Sequence, residues 1–198
     1  MGGDAFNARW DRWDTCRLCE QNYHSFVACA LGWACWKTYV GRPETDRLRS
    51  PAMRVLGNGL HDAARHEDAL RVDEAVFSTM KRLGASEEQL LDAQGSLACT
   101  YGELGQLEES LSIERDVYSG WVRLNGEEHR STLLAAHNYA VMLKGLKRFE
   151  EAKSVLRKMM PVARRVLGDN HEETLKMRWH YAMSLHLDPT ATLDDLRE

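Results

Sequence analysis

Segments that close on a glycine recur every 42 residues along this chain of 198 residues, at Gly84, Gly126 and Gly168. Further residues repeat in the same register, and these pairs are Thr132 and Thr174, Leu133 and Leu175, Tyr139 and Tyr181, His129 and His171, and Glu108-Glu109 and Glu150-Glu151. Self-similarity at a fixed period of about 20 to 50 residues is typical of a solenoid, in which each unit buries its apolar face only against a stacked neighbour. The period therefore predicts a repeat protein rather than one globular core.

From Pro51, which suits the first position of a helix, apolar residues recur at the spacing of helices, and the pattern is helix, short turn, helix. We divide it into units at about 50–88, 89–130 and 131–172, with a partial unit at 173–198 that has an altered turn, LDPTAT, and only a stub of a second helix. Each second helix ends at a repeating glycine, which predicts a left-handed C-terminal cap. Pro161 lies within the second helix of the third unit and predicts a kink or an early break there.

These units resemble tetratricopeptide repeats, and their 42-residue length with a Leu-Gly-x-x-His turn resembles the kinesin light chain variety. The resemblance is carried by Leu97-Ala98-x-x-Tyr101-x-x-Leu104-Gly105-x-x-Glu108-Glu109-Ser110-Leu111, with weaker copies from Leu56 to Ala69 and from Tyr139 to Ala152. It implies an all-α fold, a right-handed α-solenoid of antiparallel helix pairs. We expect residues 1–49 to form a separate Cys/Trp-rich helical capping module ahead of the solenoid at 50–198.

The resemblance also implies that the first helix of each pair lines a concave groove. By position in the repeat, the groove residues are Arg54, Asn58, His61, Ser96, Glu103, His137, Asn138, Lys144, Trp179, His180 and Met183. Asparagine suits such a wall because its amide both donates and accepts hydrogen bonds, so it can pair with a peptide backbone. Three alternatives stay open at this point: a peptide in the groove, a partner on another surface, or solvated side chains with no specific ligand.

The first 49 residues carry a second pattern, formed by Cys16, Cys19, His24 and Cys29. Their spacing is that of a CCHC zinc knuckle, and three thiolates with one imidazole make a closed tetrahedral zinc site. If Ser25 caps the following helix, His24 and Cys29 occupy the two positions that meet in a hydrophobic staple. The alternative is that Cys29 is a small buried apolar residue and that the chain needs no cofactor.

The tryptophan-rich helix of this segment, with Trp33 and Trp36, is apolar nearly all round. It either packs across the first repeat as a cap or docks into a larger assembly. Its nearly uncharged stretch, residues 23–36, is too short to span a bilayer, so we expect no transmembrane segment.

Charge and composition reduce the number of function classes to consider. A formal net charge of -4, with basic and acidic residues interleaved, argues against nucleic acid as a ligand. The residues show no phosphate-binding glycine loop, nucleophile elbow or paired catalytic carboxylates, so we expect no enzyme. Five cysteines, without a secretory signal, indicate an intracellular and cytoplasmic protein. The sequence thus predicts a scaffold that binds a partner peptide or helix in its groove, or alternatively a structural subunit of a multiprotein complex that docks through the tryptophan-rich helix.

Overall fold

The computed structural model describes residues 18–191 and, ahead of them, Trp10, Arg12, Trp13, Thr15 and Cys16. This part of the chain contains eight helices and no strand: α1 Ser25–Tyr39, α2 Arg49–Asp62, α3 His66–Arg82, α4 Glu87–Glu103, α5 Leu107–Asn125, α6 Arg130–Gly145, α7 Phe149–Leu167 and α8 Glu172–Leu187. The helices follow one another as the pairs α2/α3, α4/α5 and α6/α7, and the all-α prediction is confirmed. None of the described helices has the length and apolar character needed to cross a membrane.

Packing divides the chain into two compact units, Met1–Ala93 and Gln94–Glu198, with the division inside α4. We call them unit 1 and unit 2. Helix α1 packs on α2 within unit 1, so the tryptophan-rich segment and the first repeat share one compact unit. The capping role of residues 1–49 stays a prediction, and residues 1–9 lie outside the described part of the chain.

Close backbone contact joins α1 and α2 in unit 1. A Cβ placed on Gly59 would lie 2.5 Å from the carbonyl oxygen of Ala28, and one placed on Gly32 would lie 2.9 Å from the Cα of Leu56. Only hydrogen atoms therefore fit between the two helices at these positions. Beside this crossing, α1 buries Cys35 and Tyr39, and the rings of Trp10, Trp13 and Trp36 pack on that cluster.

The core of unit 2 forms where α6, α7 and α8 meet. Its members are alanine, leucine and methionine side chains that are fully buried, namely Leu133, Ala136, Ala140, Leu156, Met159, Ala163 and Met177. Alanines on α6 and α7 let the helices approach closely, and the longer side chains fill the remaining space, as close-packed interiors require. This packing holds the first helices of successive repeats at fixed positions.

The recurring turn residues act as helix caps. Nδ1 of His129 accepts a hydrogen bond from the backbone N–H of Ser131, and Nδ1 of His171 accepts one from Glu173. The hydroxyl of Thr132 donates to the carbonyl oxygen of Gly126 at 2.7 Å. The two repeated histidines thus satisfy backbone N–H groups that a helix start leaves unpaired, which explains why histidine recurs at this position.

Two predicted helix ends need correction. Gly126 and Gly168 have positive φ, as expected, but their ψ values of 177° and 160° are extended rather than left-handed helical. This region is open essentially to glycine alone. Pro161 does not break α7, which continues to Leu167, because a tertiary core covers the helix along its length.

The remaining corrections concern helix starts. Ser25 is the first residue of α1 and not its N-cap, which is His24, and Pro51 is the third residue of α2. Proline is tolerated there because the first turn of a helix has no intrahelical partner for its N–H groups. The predicted stub of a second helix after LDPTAT falls on residues 192–198, which lie outside the described part.

Candidate functional site: a concave pocket in unit 2

The predicted groove residues fall in both compact units, and those of unit 1 lie in different surroundings on α2. Arg54 and Asn58 are exposed on α2, whereas His61 is half-buried with its Nε2 3.3 Å from Oδ2 of Asp73. Asn58 borders a small hollow of about 250 Å³ whose wall also includes Asn22, Tyr23, His24, Ala28, Val55, Gly59 and Asp62. The inner face of α2 therefore lies beside the N-terminal segment.

In unit 2 the structure brings most of the predicted groove residues together. Five of the eight predicted there, Glu103, His137, Asn138, Trp179 and His180, line one open pocket of about 500 Å³. Lys144 joins it through Trp179 and His180, which it contacts directly. Ser96 and Met183 are half-buried on the same helices, α4 and α8, and do not line this pocket.

One side of the pocket is a stack of aromatic and basic groups. The ammonium of Lys144 lies 5.1 Å from the centre of the Trp179 ring and donates to Nδ1 of His180 at 2.9 Å. Because an ammonium can only donate, Nδ1 of His180 accepts and the ring proton sits on Nε2. The ring of His137 lies 4.9 Å from that of His180.

Burial keeps both imidazoles neutral in this stack. The pKa of His180 falls to about 4 because the ring is desolvated, with Lys144 and His137 lowering it further. Burial also lowers the pKa of His137, and the carboxylate of Glu173 offsets part of that effect. Lys144 therefore carries the positive charge of the stack, although burial lowers its pKa as well.

A buried acid, Glu114, lies at the floor of the pocket and was missed by the sequence analysis. It comes from α5, and only 1% of its surface is exposed. Its burial raises its pKa to about 8, although hydrogen bonds from Asn138 and Cys99 work in the opposite direction. The sequence did hold a signal, since Glu114 interrupts the apolar spacing between Leu111 and Val117.

Several buried polar atoms at this floor lack hydrogen-bond partners within the described part of the chain. They are Oε2 of Glu114 and both ring nitrogens of His137. Although Nδ1 of His137 makes no hydrogen bond, it lies 3.3 Å from Oε2 of Glu173, whose negative charge raises the pKa of the ring. Buried polar groups in folded proteins are nearly always satisfied by protein or by water, so these atoms at an open pocket are available to a ligand.

The four predicted zinc ligands do not converge. The thiols of Cys16 and Cys19 lie within hydrogen-bonding reach of each other, and backbone N–H groups of the turn lower the pKa of Cys16 to about 7. Cys29, however, is buried in the apolar cluster with Leu56, while Nδ1 of His24 lies 3.8 Å from a carboxylate oxygen of Asp62. No group of three or more potential metal ligands is assembled among the described residues, and the zinc site stays a prediction.

Comparison with known proteins bears on the repeats directly. The family model of the tetratricopeptide repeat matches residues 90–131 and 132–173, within one residue of the second and third predicted units. No curated protein sequence matches the chain.

Solved structures share the fold. BtubC (BKLC) from P. vanneervenii superposes with a TM-score of 0.68 at 15% identity, over 81% of this chain and 66% of its own length. A kinesin light chain from Podosopora anserina with nearly identical TPR-like repeats gives a TM-score of 0.62 at 20% identity, over 81% of this chain and 75% of its own. A single-residue variant of the same protein gives 0.64 at 20% identity, with 81% and 74% covered. Residues 90–173 are therefore tetratricopeptide repeats, and the fold around them is that of kinesin light chain-like repeat proteins.

Proposed function

We propose that the chain is a non-enzymatic scaffold whose concave pocket in unit 2 binds an extended segment of a partner protein. Tetratricopeptide repeats generally mediate binding between proteins, which supports the class of function. The observation that carries the proposal is the set of orphaned polar atoms on Glu114 and His137, which lie at the floor of a pocket lined by predicted groove residues. A peptide backbone presents the N–H and C=O groups that these atoms need.

The remaining pocket residues suit the same ligand. Trp179 is 56% exposed and offers an aromatic surface for an apolar side chain, and Asn138 can pair with the peptide backbone. The interleaved charges support a protein rather than a nucleic acid as the partner. The odd number of cysteines supports a cytoplasmic setting, where thiols stay reduced.

The proposal is tested by selecting peptides from a displayed random library on the full chain and measuring their affinity by fluorescence anisotropy. Truncating an aromatic anchor or a buried hydrogen-bonding group of an interface costs about tenfold or more in affinity. We therefore expect Trp179→Ala and Asn138→Ala each to weaken binding by about that factor. Arg115→Ala is the matched control, because Arg115 is exposed on α5 and does not line the pocket.

Two outcomes would contradict the proposal. One is that the library yields no peptide that binds the folded chain. The other is that the selected peptides bind Trp179→Ala, Asn138→Ala and Arg115→Ala with equal affinity, which would place the contact on another surface.

A second candidate function, docking into a larger assembly, is favoured by the outer face of α1. Phe26 is 81% exposed, Val27 is 53% exposed and Trp33 is 41% exposed, although α1 buries its other side on α2. Apolar surface of this kind on one helix is typical of a contact with another protein. Trp36 is unsuitable for testing this, because it packs in the core and against the guanidinium of Arg49.

The docking candidate predicts a change in the size of the native assembly. In extracts of the source cell, we expect the tagged wild-type chain to elute from gel filtration in a high-mass complex and Phe26→Ser/Trp33→Ser to elute as the free chain. Asn138→Ala should stay in the complex. If the wild-type chain itself elutes free, or if Asn138→Ala alone releases it, docking through α1 is wrong.

A further inference from the structure

The concave pocket contains a thiol, that of Cys99, which lies on α4. Cys99 is exposed and lines the pocket, and it is the one cysteine in the sequence of unit 2. Cys29 and Cys35, in unit 1, are buried. Because a reagent must reach a thiol before it can react with it, Cys99 is open to chemistry that these two buried cysteines do not meet.

Two polar side chains of the pocket contact the thiol of Cys99. The amide nitrogen of Asn138 donates to Sγ at 3.7 Å, and the thiol donates to Oε1 of Glu114 at 3.9 Å. A hydrogen bond donated to sulfur stabilises the negative charge of a thiolate. The thiol therefore has a donor that favours its ionised form and an acceptor for its proton.

Glu114 is a stronger base than an ordinary carboxylate. Burial raises the pKa of Glu114 to about 8, which is close to the usual pKa of a thiol, about 8.5. Because the two groups hold a proton with similar affinity, loss of one proton from the pair leaves a thiolate in part of the molecules. The thiolate is the nucleophilic form of cysteine.

The same pocket holds buried polar atoms that are available to a ligand. Oε2 of Glu114, a residue that is 1% exposed, and both ring nitrogens of His137 make no hydrogen bond within the described part of the chain. The pocket volume of about 500 Å³ falls within the range of small-molecule sites, about 300–1,000 Å³. A small disulfide that also carries peptide groups therefore meets hydrogen-bonding partners and a nucleophile in one pocket.

We propose that Cys99 is a modification site, at which a peptide-like disulfide of the glutathione class forms a mixed disulfide and excludes the partner segment from the concave pocket. The thiol proton passes to the carboxylate of Glu114, and the Cys99 sulfur attacks one sulfur of the reagent. A new S–S bond forms, the S–S bond of the reagent breaks, and the departing thiolate takes up the proton as a free thiol. Cys99 is oxidised and half of the reagent is reduced, so a reducing thiol reverses the step.

Only the exclusion of a partner rests on the proposed function. The reaction at Cys99 needs the pocket and the small disulfide alone. The two parts are therefore tested by different measurements on the full chain.

The reaction is tested by incubating the reduced chain with glutathione disulfide and mapping each cysteine by mass spectrometry. We expect one glutathione on Cys99, removable by dithiothreitol, while Cys29 and Cys35 stay thiols. Glu114→Gln keeps the shape of the side chain but cannot take a proton. It should slow the reaction at Cys99 by about tenfold, less than the usual effect of a general base because an exposed thiol also ionises unaided.

Asp116→Asn is the matched control, because Asp116 is an exposed acid of the same helix that does not line the pocket. It should change the rate by less than about twofold. Circular dichroism checks that both variants keep their helices. The modification site is wrong if Cys99 stays a thiol or reacts no faster than Cys29 and Cys35. Equal rates in Glu114→Gln and Asp116→Asn would overturn the role of Glu114 as proton acceptor.

The exclusion is tested with peptides selected on the reduced chain, measured by fluorescence anisotropy before and after treatment with glutathione disulfide. We expect treatment to weaken binding by about tenfold or more and dithiothreitol to restore it, whereas treated Cys99→Ser keeps its affinity. Equal affinity of the reduced and the glutathione-bearing chain would overturn the exclusion. If no peptide is selected, the proposed function is wrong and the exclusion with it, while glutathione found on Cys99 would still support the modification site.

Discussion

Gly59→Ala is expected to lower the free energy of unfolding of unit 1 by about 3 kcal/mol, the upper end for overpacking a close-packed site. The new Cβ would lie 2.5 Å from the carbonyl oxygen of Ala28 and 3.0 Å from the Cα of Cys29. These neighbours are backbone atoms of α1, so no side chain can turn aside to make room. The two helices must separate, and the apolar contacts beside the crossing are lost with them.

Urea unfolding followed by tryptophan fluorescence measures this loss, since four of the six tryptophans lie in the first 36 residues. Gly95→Ala is the matched control, because Gly95 also lies within a helix but its Cβ would meet only a methyl group of Val117 at 3.9 Å. Alanine is the better helix former, so that variant should be more stable by about 0.5–1 kcal/mol. Equal midpoints for Gly59→Ala and the wild type would mean that α1 and α2 are not packed this closely.

The glycines of α2 show one limit of the sequence analysis. In a single sequence, Gly57 and Gly59 read only as weak helix formers. Glycine is needed at position 59 because the backbone of Ala28 and Cys29 lies against it, and those two residues belong to a segment outside the repeats. The distance between two packed helices is a tertiary property, and a local sequence pattern does not predict it.

The repeat register, by contrast, predicted the features that depend on residues close together in the sequence. It predicted the helix pairs, the positive φ of the turn glycines and five of the residues that line the concave pocket, because equivalent positions have the same structural role in every repeat. It could not give Glu114, since the groove was assigned from first helices and this acid comes from the second helix of its pair. It also could not give the electrostatics of His180, whose low pKa arises from burial and from Lys144, 36 residues earlier.

The zinc site stays a prediction, and its four residues lie apart in the structure for a related reason. The spacing of the four residues says nothing about which way Cys29 points. In the structure Cys29 lies on the buried side of α1 and packs in the apolar cluster with Leu56. The position of a cysteine around a helix decides which neighbours its thiol can reach. Where a ligand pattern crosses into a helix, the packing of that helix decides which residues meet.

A buried ion pair at the end of α8 leads to the second large effect. Lys153 of α7 has a side chain with no exposed surface, and its Nζ lies 2.8 Å from Oδ2 of Asp188, the C-cap residue of α8. The other oxygen of Asp188 accepts from the N–H and the hydroxyl of Thr190. The pair thus ties the altered turn after α8 to the neighbouring helix.

We expect Lys153→Met to lower the free energy of unfolding by about 3 kcal/mol, because it leaves the Asp188 carboxylate buried without its counter-charge. This loss is at the lower end of the range for breaking a buried ion pair, because Glu150 and Asp188 border an open pocket through which water can approach them. Lys153→Met/Asp188→Asn removes both charges but keeps the acceptor for Thr190, and it should recover part of the loss. Urea unfolding of the wild type, both single variants and the double variant measures the coupling, and a double variant as unstable as the sum of the singles would contradict it.

The pH dependence of the free energy of unfolding gives an independent test of the Lys153–Asp188 ion pair, and its direction can be predicted. Lys153 and Thr190 hold the pKa of Asp188 well below its usual range, so the carboxylate stabilises the fold above the unfolded-state pKa of about 4 and loses that effect as the pH falls. The pKa of Lys153 is raised by Asp188 and Glu150, which outweigh its burial, so its contribution persists until the pH rises above about 10. Asp188→Asn should therefore differ most from the wild type between these limits, and the difference should shrink from about pH 5 to about pH 2. A difference that stays constant over that acid range would show that the ion pair does not stabilise this end of the repeats.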